Sequence, residues 1–427
     1  MADKINIKLA RTELGRTGLE QFNGDIFEEF LPQLQGRRGV KVFREMSDND
    51  PIIGAILFAI EMLIRQVDWN VEPFSTDRED IAAADFLQEN MNDMSTTWQN
   101  TITEILSMLT FGWSFHELVY KRRLGTNRDE DLSSKFSDGR IGWAKIPIRA
   151  QETLWKWIFD DDTGRLKGMQ QQPPPRFNLL TIPIEKALLF RTRVRKGNPE
   201  GRSILRNAYR PWYFKKNIET IEGIGIERDL AGLPVAWVPP ELLDPAASSE
   251  DKAVLNEIKK IVRNIRRDEQ EGIVFPMAHD EDGNKIYDLQ LLNTGGRRQF
   301  DTDKVVQRYD SRIAMTVLAD FILLGHEKVG SFALSSDKTN LFSVALGAWL
   351  DDIAETFNRK AVAQLFRLNG FRTDRLPKIV HGDIESVPLD ELGEYISKLA
   401  GAGFPLFPNE ELENQLLRAA NLPVNTA

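Results

Sequence analysis

The sequence predicts an α+β protein whose mixed first half is followed by long helices that enclose a small mixed segment. Between residues 47 and 200, apolar residues at helical spacing alternate with short runs that have the period-two pattern of strands. After residue 200, three long helical patterns dominate, and strand-like runs separate the first two of them. A chain of 427 residues is too long for one ordinary core, so two or three structural regions are expected.

The first half begins with a polar, weakly periodic segment over residues 1–46, which predicts an arm. Ser47–Pro51 then offers an N-cap with proline near the first helical position, and the apolar spacing up to Ile64 predicts a helix. Helices are also expected over about 77–91 and 95–109, with Gly112 just beyond the second. The expected strands are Val67–Pro73, Phe111–Tyr120, a segment through Trp143, Trp155–Phe159 and Leu188–Phe190.

The second half predicts an out-and-back pair of long helices, Ser203 to about Leu230 and about Phe300 to Leu324. A Gly/Ser-rich loop, Gly325–Lys338, leads into a third long helix over about 340–369, which Gly370 ends. The segments expected between the paired helices are a strand at Val235–Val238, a charged helix over about 250–268, and two strands, Gly272–Pro276 and Tyr287–Leu292, joined through Asp282–Asn284. Two short helices are expected in the tail, over about 390–400 and 409–420.

Composition excludes several classes of protein. The absence of cysteine excludes disulfides, thiolate metal sites and a cysteine nucleophile. The net charge of −9 argues against wrapping of nucleic acid, although it allows a channel through which DNA slides without sticking. The N-terminus has no long apolar core, so no signal peptide is expected. The most apolar stretch, Ile52–Ile64, contains Glu61 and is too short to span a bilayer, so no membrane association is expected.

No pattern of residues identifies a catalytic, cofactor or metal site. The four histidines are far apart and lack zinc-protease spacing, and no P-loop is present, so the chain is not expected to be an enzyme. The acidic clusters lie at turns or helix starts, where carboxylates are favoured: Asp160–Asp162, Asp280–Asp282, and Asp301 with Asp303. A metal-dependent nuclease whose carboxylates converge from separate elements remains an alternative.

Two polar segments are candidates for function. Basic residues cluster between Arg191 and Lys216, and four of them are expected near one helical stripe, which favours a subunit interface over phosphate contact: Arg202, Arg206, Arg210 and Lys216. The Gly325–Lys338 loop combines small residues with two lysines between apolar helices, as functional loops often do. Its candidate residues are Lys328, Ser331, Ser335, Ser336 and Lys338.

The order of these elements resembles that of the portal proteins of tailed bacteriophages, and most closely the Mu-type portal family. The resemblance covers roughly residues 48–370. It lies in the helix and strand over 48–71, the segment LTFGWSFHELVYK at 109–121, the helix and Gly-x-Pro exit over 201–237, and the loop and long helix over 320–370. Together, in this order, the segments are more specific than any one of them.

The resemblance implies a ring of about a dozen subunits at one capsid vertex, through which double-stranded DNA is packaged and ejected. It implies docking of the terminase large subunit and later of a head-tail adaptor, contact with the major capsid or scaffolding protein, assembly in the host cytoplasm and a place in the virion. The Gly325–Lys338 loop becomes a tunnel loop that lines the DNA channel. A second alternative is another structural virion protein, such as an adaptor, which would be shorter and lack the helix pair.

The parts that the resemblance implies follow the chain in order. They are an arm (1–46), a wing (47–200), the first stem helix (201–232), a clip (233–296), the second stem helix (297–324), the tunnel loop (325–338), a long wing helix with its return (339–387), and a crown (388–427).

Overall fold

A computed structural model describes residues 13, 15–231, 233–264, 288–292, 301–316 and 332–384. The chain divides into two compact units, and the second is an insertion in the sequence of the first. The first unit is Met1–Tyr209 with Arg312–Ala427, and the second is Arg210–Ser311. None of the helices in the described residues is long and apolar enough to cross a bilayer.

The described elements mix helices with short antiparallel strands. The helices are α1 (Gly36–Asn49), α2 (Pro51–Arg65), α3 (Arg78–Asn92), α4 (Trp98–Ile105), α5 (Ser107–Phe111), α6 (Tyr209–Ala231), α7 (Ser249–Asn264), α8 (Thr302–Thr316), α9 (Phe332–Thr356) and α10 (Ala363–Leu368). The strands are β1 (Gln21–Phe22), β2 (Asp25–Ile26), β3 (Trp69–Glu72), β4 (Trp113–Glu117), β5 (Val119–Arg122), β6 (Ile141–Lys145), β7 (Leu154–Phe159), β8 (Leu166–Gln171), β9 (Leu180–Pro183), β10 (Ala187–Arg191), β11 (Leu233–Trp237), β12 (Asp288–Leu292) and β13 (Lys378–His381). This confirms the α+β class.

The start of α2 follows the sequence signal. The Asp50 carboxylate accepts hydrogen bonds from the backbone N–H groups of Ile52 and Ile53, both at 3.0 Å, and Pro51 occupies the first turn. This satisfies two of the N–H groups that a helix start leaves without partners. Apolar residues at helical spacing, including Ile60 and Ile64, are then fully buried.

Helix α1 was not expected from the sequence, which predicted an arm up to residue 46. Four basic side chains dilute the apolar pattern, yet Val40, Phe43 and Met46 recur at intervals of three and are buried. Before it, Asn23 and Gly24 both have positive φ (50° and 88°) and join β1 to β2. This is the two-residue turn that suits a hairpin.

The first unit has two apolar cores. In the larger core, α2 to α4 pack against α9 and α10, and a π-helical segment, Phe357–Val362, joins the last two helices. The buried residues of the smaller core belong to strands, and among them the Trp113 and Trp157 rings meet edge to face at 4.9 Å. Strand β3, which the alternation predicted, pairs antiparallel with β13, and this pairing brings distant parts of the chain together.

Two glycines allow a close backbone crossing in the first unit. Gly112 ends α5 with φ 92°, and Gly201 has φ 57°. A Cβ on Gly112 would lie 2.6 Å from the carbonyl oxygen of Glu200, and one on Gly201 would lie 2.2 Å from the carbonyl oxygen of Gly112. Only residues without a side chain fit at this crossing.

The second unit contains an antiparallel pair of helices. Lys215 of α6 contacts Asp310 of α8, and Glu222, farther along α6, accepts a hydrogen bond from Thr302, nearer the start of α8. The two helices therefore run in opposite directions, as the sequence predicted. Strand β12 pairs antiparallel with β11. The sequence analysis predicted instead that it would be joined through a turn to a strand at Gly272–Pro276, which lies outside the described residues.

Several helix boundaries differ from the predicted ones. A 3-10 turn at Ile204–Arg206 precedes α6, which begins at Tyr209 rather than at Ser203. Helix α9 begins at Phe332, eight residues before the predicted start, so Ser335, Ser336 and Lys338 lie in a helix and not in a loop. The predicted loop residues Lys328 and Ser331, and the proposed crown over 388–427, lie outside the described residues.

Candidate subunit interface and channel residues

Arg206, a predicted interface residue, is paired within its own subunit. Its Nε and Nη2 atoms donate to Oε2 and Oε1 of Glu29, each at 2.6 Å. Burial alone would raise the pKa of Glu29, but the hydrogen bonds from Arg206 and from Leu31 N–H, with the charge of Arg206, hold it below its usual value. A two-pronged pair of this kind fixes the segment before α6 against the N-terminal region.

Arg202 lies near three other arginines. Its Nη2 donates to Oδ1 of Asn207 at 2.9 Å. Burial lowers the pKa of the Arg202 guanidinium, and so do the charges of Arg206, Arg193 and Arg195, while Glu29 opposes them. The positive charge here exceeds what the nearest carboxylate offsets.

Arg210 and Lys216, the other two interface candidates, lie on α6 and contact aromatic rings. The Arg210 guanidinium is 5.8 Å from the centre of the Phe214 ring, and the Lys216 ammonium is 5.3 Å from the Trp212 ring. Arg202 and Arg206 precede the helix. The four candidates therefore do not share one helical stripe, because the predicted helix was extended too far toward the N-terminus. Their interface role stays a prediction.

Exposed apolar residues on α6 are a feature that the sequence analysis did not single out residue by residue. Ile221 is 67% exposed and Ile224 is 45% exposed, and the i, i+3 spacing puts them on one face. Between and beside them, a Cβ placed on Gly223 or Gly225 would meet no described atom within 4 Å. An apolar, bare helix face of this kind is typical of a surface that another chain covers.

The channel candidates are only partly described. Ser335, Ser336 and Lys338 belong to the first turns of α9. Lys328 and Ser331 lie outside the described residues. The assignment of these five residues to a DNA channel therefore remains a prediction.

The acidic clusters are explained by local structure where they are described. Asp160 accepts from the N–H and hydroxyl of Thr163 and pairs with Lys167 at 2.6 Å, contacts that hold the pKa of Asp160 far below its usual value. Asp301 pairs with Lys304 at the start of α8. Within the described ranges, no group of three or more histidine or acidic side chains could hold a metal ion. Residues 280–282 lie outside those ranges.

His116 is a packing residue. It is fully buried, its Nδ1 lies 3.1 Å from the carbonyl oxygen of Ile146, and its ring meets Phe190 edge to face at 5.5 Å. Burial lowers its pKa to about 4, so the imidazole is neutral at physiological pH. His381 lies 3.2 Å from Asp351, while His279 and His326 are not among the described residues.

Glu200 is expected to make stability depend on pH. Burial raises the pKa of Glu200 to about 7, and the charge of Asp25 adds to the rise. The hydrogen bond that Glu200 accepts from Trp157 Nε1 at 3.2 Å lowers the pKa but does not offset burial. The folded state thus keeps a proton between about pH 4.5 and 7 that the unfolded state loses, so stability falls as pH rises through this window.

Glu200→Gln should therefore match the original chain near pH 4.5 and exceed its free energy of unfolding at pH 8 by up to about 3 kcal/mol. Denaturant titrations at the two pH values measure this difference. An equal difference at both pH values would contradict the assignment.

The chain matches the family model described as the portal protein of Mu bacteriophage over residues 40–416. It belongs to the Mu bacteriophage portal protein family. A portal protein is a head-tail connector component of the virion, so the class that the sequence resemblance implied is confirmed. The portal family is a family of structural proteins.

The fold is also found in a solved structure. The neck of an empty GTA particle, computed with C6 symmetry, contains a chain that matches this portal family member with a TM-score of 0.50 and 11% identity, covering 90% of this chain and 94% of that chain. A chain in the virion of the native gene transfer agent particle matches with a TM-score of 0.49 and 10% identity, over the same shares of the two chains.

Proposed function

We propose that copies of this chain form a closed ring at one capsid vertex, through which double-stranded DNA is packaged and later ejected. Membership of the Mu portal family is the observation that carries the proposal. The matched chain comes from a particle neck computed with C6 symmetry, which supports a ring. A ring of about a dozen copies buries one repeated, head-to-tail interface and closes on itself.

The antiparallel pair α6 and α8 is assigned to the stem of this ring. The pair is built around a buried charge, since the Lys215 side chain is 2% exposed and lies 2.6 Å from Asp310. The β11–β12 pair and α7 between these helices are assigned to the clip, and residues 47–200 and 339–387 of the first unit are assigned to the wing. The exposed face at Ile221 and Ile224 is then covered by a neighbouring stem.

The ring also serves as a docking platform in this proposal. The terminase large subunit, which hydrolyses ATP during packaging, binds first, and a head-tail adaptor replaces it. Capsid or scaffolding protein surrounds the ring, which assembles in the host cytoplasm and remains in the virion. The portal subunit itself is proposed to have no enzymatic activity and no cofactor.

Negative-stain imaging and mass measurement of the purified chain test the ring directly. We expect rings with a central hole and a mass near a dozen subunits at favourable concentration. A protein that stays monomeric at every concentration and salt would contradict the proposal. ATPase or nuclease activity that disappears on mutation of Asp301 or Asp303 would favour the nuclease instead.

Two double variants test the assigned roles. A channel that passes any sequence must avoid fixed phosphate contacts, so a few exchangeable cations suit its wall. Lys328→Ala with Lys338→Ala is therefore expected to form rings but to change the length of packaged genome. Arg206→Ala with Arg210→Ala is expected to weaken ring assembly.

The intrachain pair between Arg206 and Glu29 requires a control. Glu29→Gln removes the same pair but leaves the Arg206 guanidinium in place, so it should keep its rings. If Glu29→Gln loses rings as fully as the arginine variant, Arg206 acts in folding its own subunit. If the lysine variant loses rings and the arginine variant fails only in packaging, the two roles are reversed.

A further inference from the structure

Strand β10 is an edge strand. It pairs with β4 along one side, where the Lys186 carbonyl accepts from Leu118 N–H and Thr192 N–H donates to the Gly112 carbonyl. Because backbone groups of an antiparallel strand alternate in direction, those of Leu189 and Arg191 point away from β4. Among the described residues, none forms a hydrogen bond with the outward backbone groups of these two.

Two cavities meet at this open edge. One has a volume of about 940 Å³ and the other about 440 Å³, and both are lined by Leu189, Arg191 and Lys360. Apolar walls are supplied by Ile184 and Trp157 in the first and by Phe190 in the second. The edge of β10 thus faces a cleft with room for an extended peptide beside it.

Two cations at this edge have no carboxylate partner in the described part of the chain. The Arg191 side chain donates to the Asn198 carbonyl at 3.1 Å, and burial lowers its pKa. Burial and the charge of Arg191 lower the pKa of Lys360. The charge of Glu185 raises this pKa, but Glu185 is not within ion-pair distance of Lys360. Lys360 lies in the π-helical segment, a distortion that is frequent at functional sites.

The carboxylates that line the cleft do not neutralise these cations. Glu13 pairs with Arg165 at 3.6 Å, Asp160 pairs with Lys167, and Glu355 pairs with Arg359. Asp161 lies at an exposed turn. In the smaller cavity, burial raises the pKa of Asp352, and the charges of Glu355 and Asp351 add to the rise, so the neutral form of this carboxyl is favoured.

We infer that the open edge of β10 binds an extended, acidic segment of a partner protein as an added strand. Its backbone pairs with Leu189 and Arg191, and a carboxylate lies between Arg191 and Lys360. Strand addition of this kind takes affinity from main-chain hydrogen bonds and specificity from side-chain pockets. The charge of the cleft selects an acidic segment over a basic one. This inference does not depend on the channel function.

Binding of a labelled peptide tests the site. The probe is an end-blocked Val-Asp-Val-Asp-Val peptide, followed by fluorescence anisotropy on the full chain. A peptide N-methylated at the pairing amides should bind about tenfold more weakly, and a Val-Lys-Val-Lys-Val peptide weaker still. Lys360→Gln should weaken binding of the acidic probe about fivefold, whereas Lys260→Gln, an equal charge change on α7, should not.

Residue-resolved amide hydrogen exchange supplies an independent measurement. The acidic probe should slow exchange at Leu189 and Arg191, and leave Leu188 and Phe190 unchanged because their amides already face β4. Equal binding by the N-methylated or lysine peptide, or no binding at millimolar probe, overturns the inference. Probe binding to monomers but not to rings would assign the edge to a second copy of the chain and also overturn it.

Discussion

Lys121→Met is expected to lower the free energy of unfolding of the first unit by about 3–5 kcal/mol. The Lys121 and Asp93 side chains are 1% and 2% exposed, with Nζ 3.1 Å from Oδ2. The Lys121 ammonium also donates to the carbonyl oxygens of Asp93 and Ser133. Methionine matches the length of the lysine but leaves Asp93 charged and buried with no cation, which is the costly case for a buried pair.

The partners of Asp93 explain why the carboxylate stays charged. Burial alone would raise its pKa, but the Lys135 N–H and the Ser134 hydroxyl, each at 2.7 Å, together with Lys121, hold it below the usual value. Adding Asp93→Asn to Lys121→Met should therefore recover part of the loss. Denaturant titration measures the free energy of unfolding of the single and the double variant.

A matched control comes from a half-exposed pair in the same unit. Lys145 pairs with Asp131, and the two side chains are 33% and 38% exposed. Lys145→Met should cost about 1 kcal/mol or less, because solvent screens the charges. A similar cost for both lysine variants would mean that burial of the Lys121 pair has little energetic effect.

Ile221→Glu with Ile224→Glu is expected to abolish ring assembly while each subunit stays folded. Both side chains are largely exposed on α6, so the change removes little packing within the subunit, but two charges per subunit would be buried wherever this face meets a neighbouring subunit. Size-exclusion chromatography with mass measurement should show a shift from rings to monomers, with an unchanged circular dichroism spectrum.

Ile81→Glu on α3 is the control for a charge on an exposed apolar site. Ile81 is 44% exposed and belongs to the first unit, so rings should persist in this variant. Rings that persist in the double isoleucine variant would place the subunit interface elsewhere than on this face of α6.

Local patterns in the sequence predicted most elements but not their partners. The alternation over 67–73 predicted β3, and the capping residues before Pro51 predicted α2. The strand that pairs with β3, Lys378–His381, has only four residues and shows no alternation of apolar and polar residues. The pair between Glu29 and Arg206 joins residues 177 apart in sequence, and no local signal couples them.

Two wrong boundaries have the same physical origin. Residues 332–338 contain two serines and an aspartate, which have weak helix propensity, so the sequence favoured a loop, yet α9 includes them. In α1, basic residues obscured an apolar spacing that only packing reveals. In α1 the burial of Val40, Phe43 and Met46 outweighs the local composition, so propensity alone does not predict this helix. The candidate interface residues were misplaced on one stripe because the start of α6 was misjudged.

The pairing of β3 with β13 also has a consequence for synthesis of the chain. The second unit is continuous in sequence and is complete once residue 311 has left the ribosome, but β3 must wait for Lys378. At typical rates of translation the interval between synthesis of β3 and synthesis of Lys378 is roughly 15–60 s. Until it ends, the apolar faces of α2 and α4 lack some or all of Phe357, Leu365 and Ile379. The nascent first unit therefore exposes apolar surface during this interval, which makes it prone to aggregate. A ribosome that stops before residue 378 releases a chain whose second unit is complete and whose first unit lacks the strand that pairs with β3.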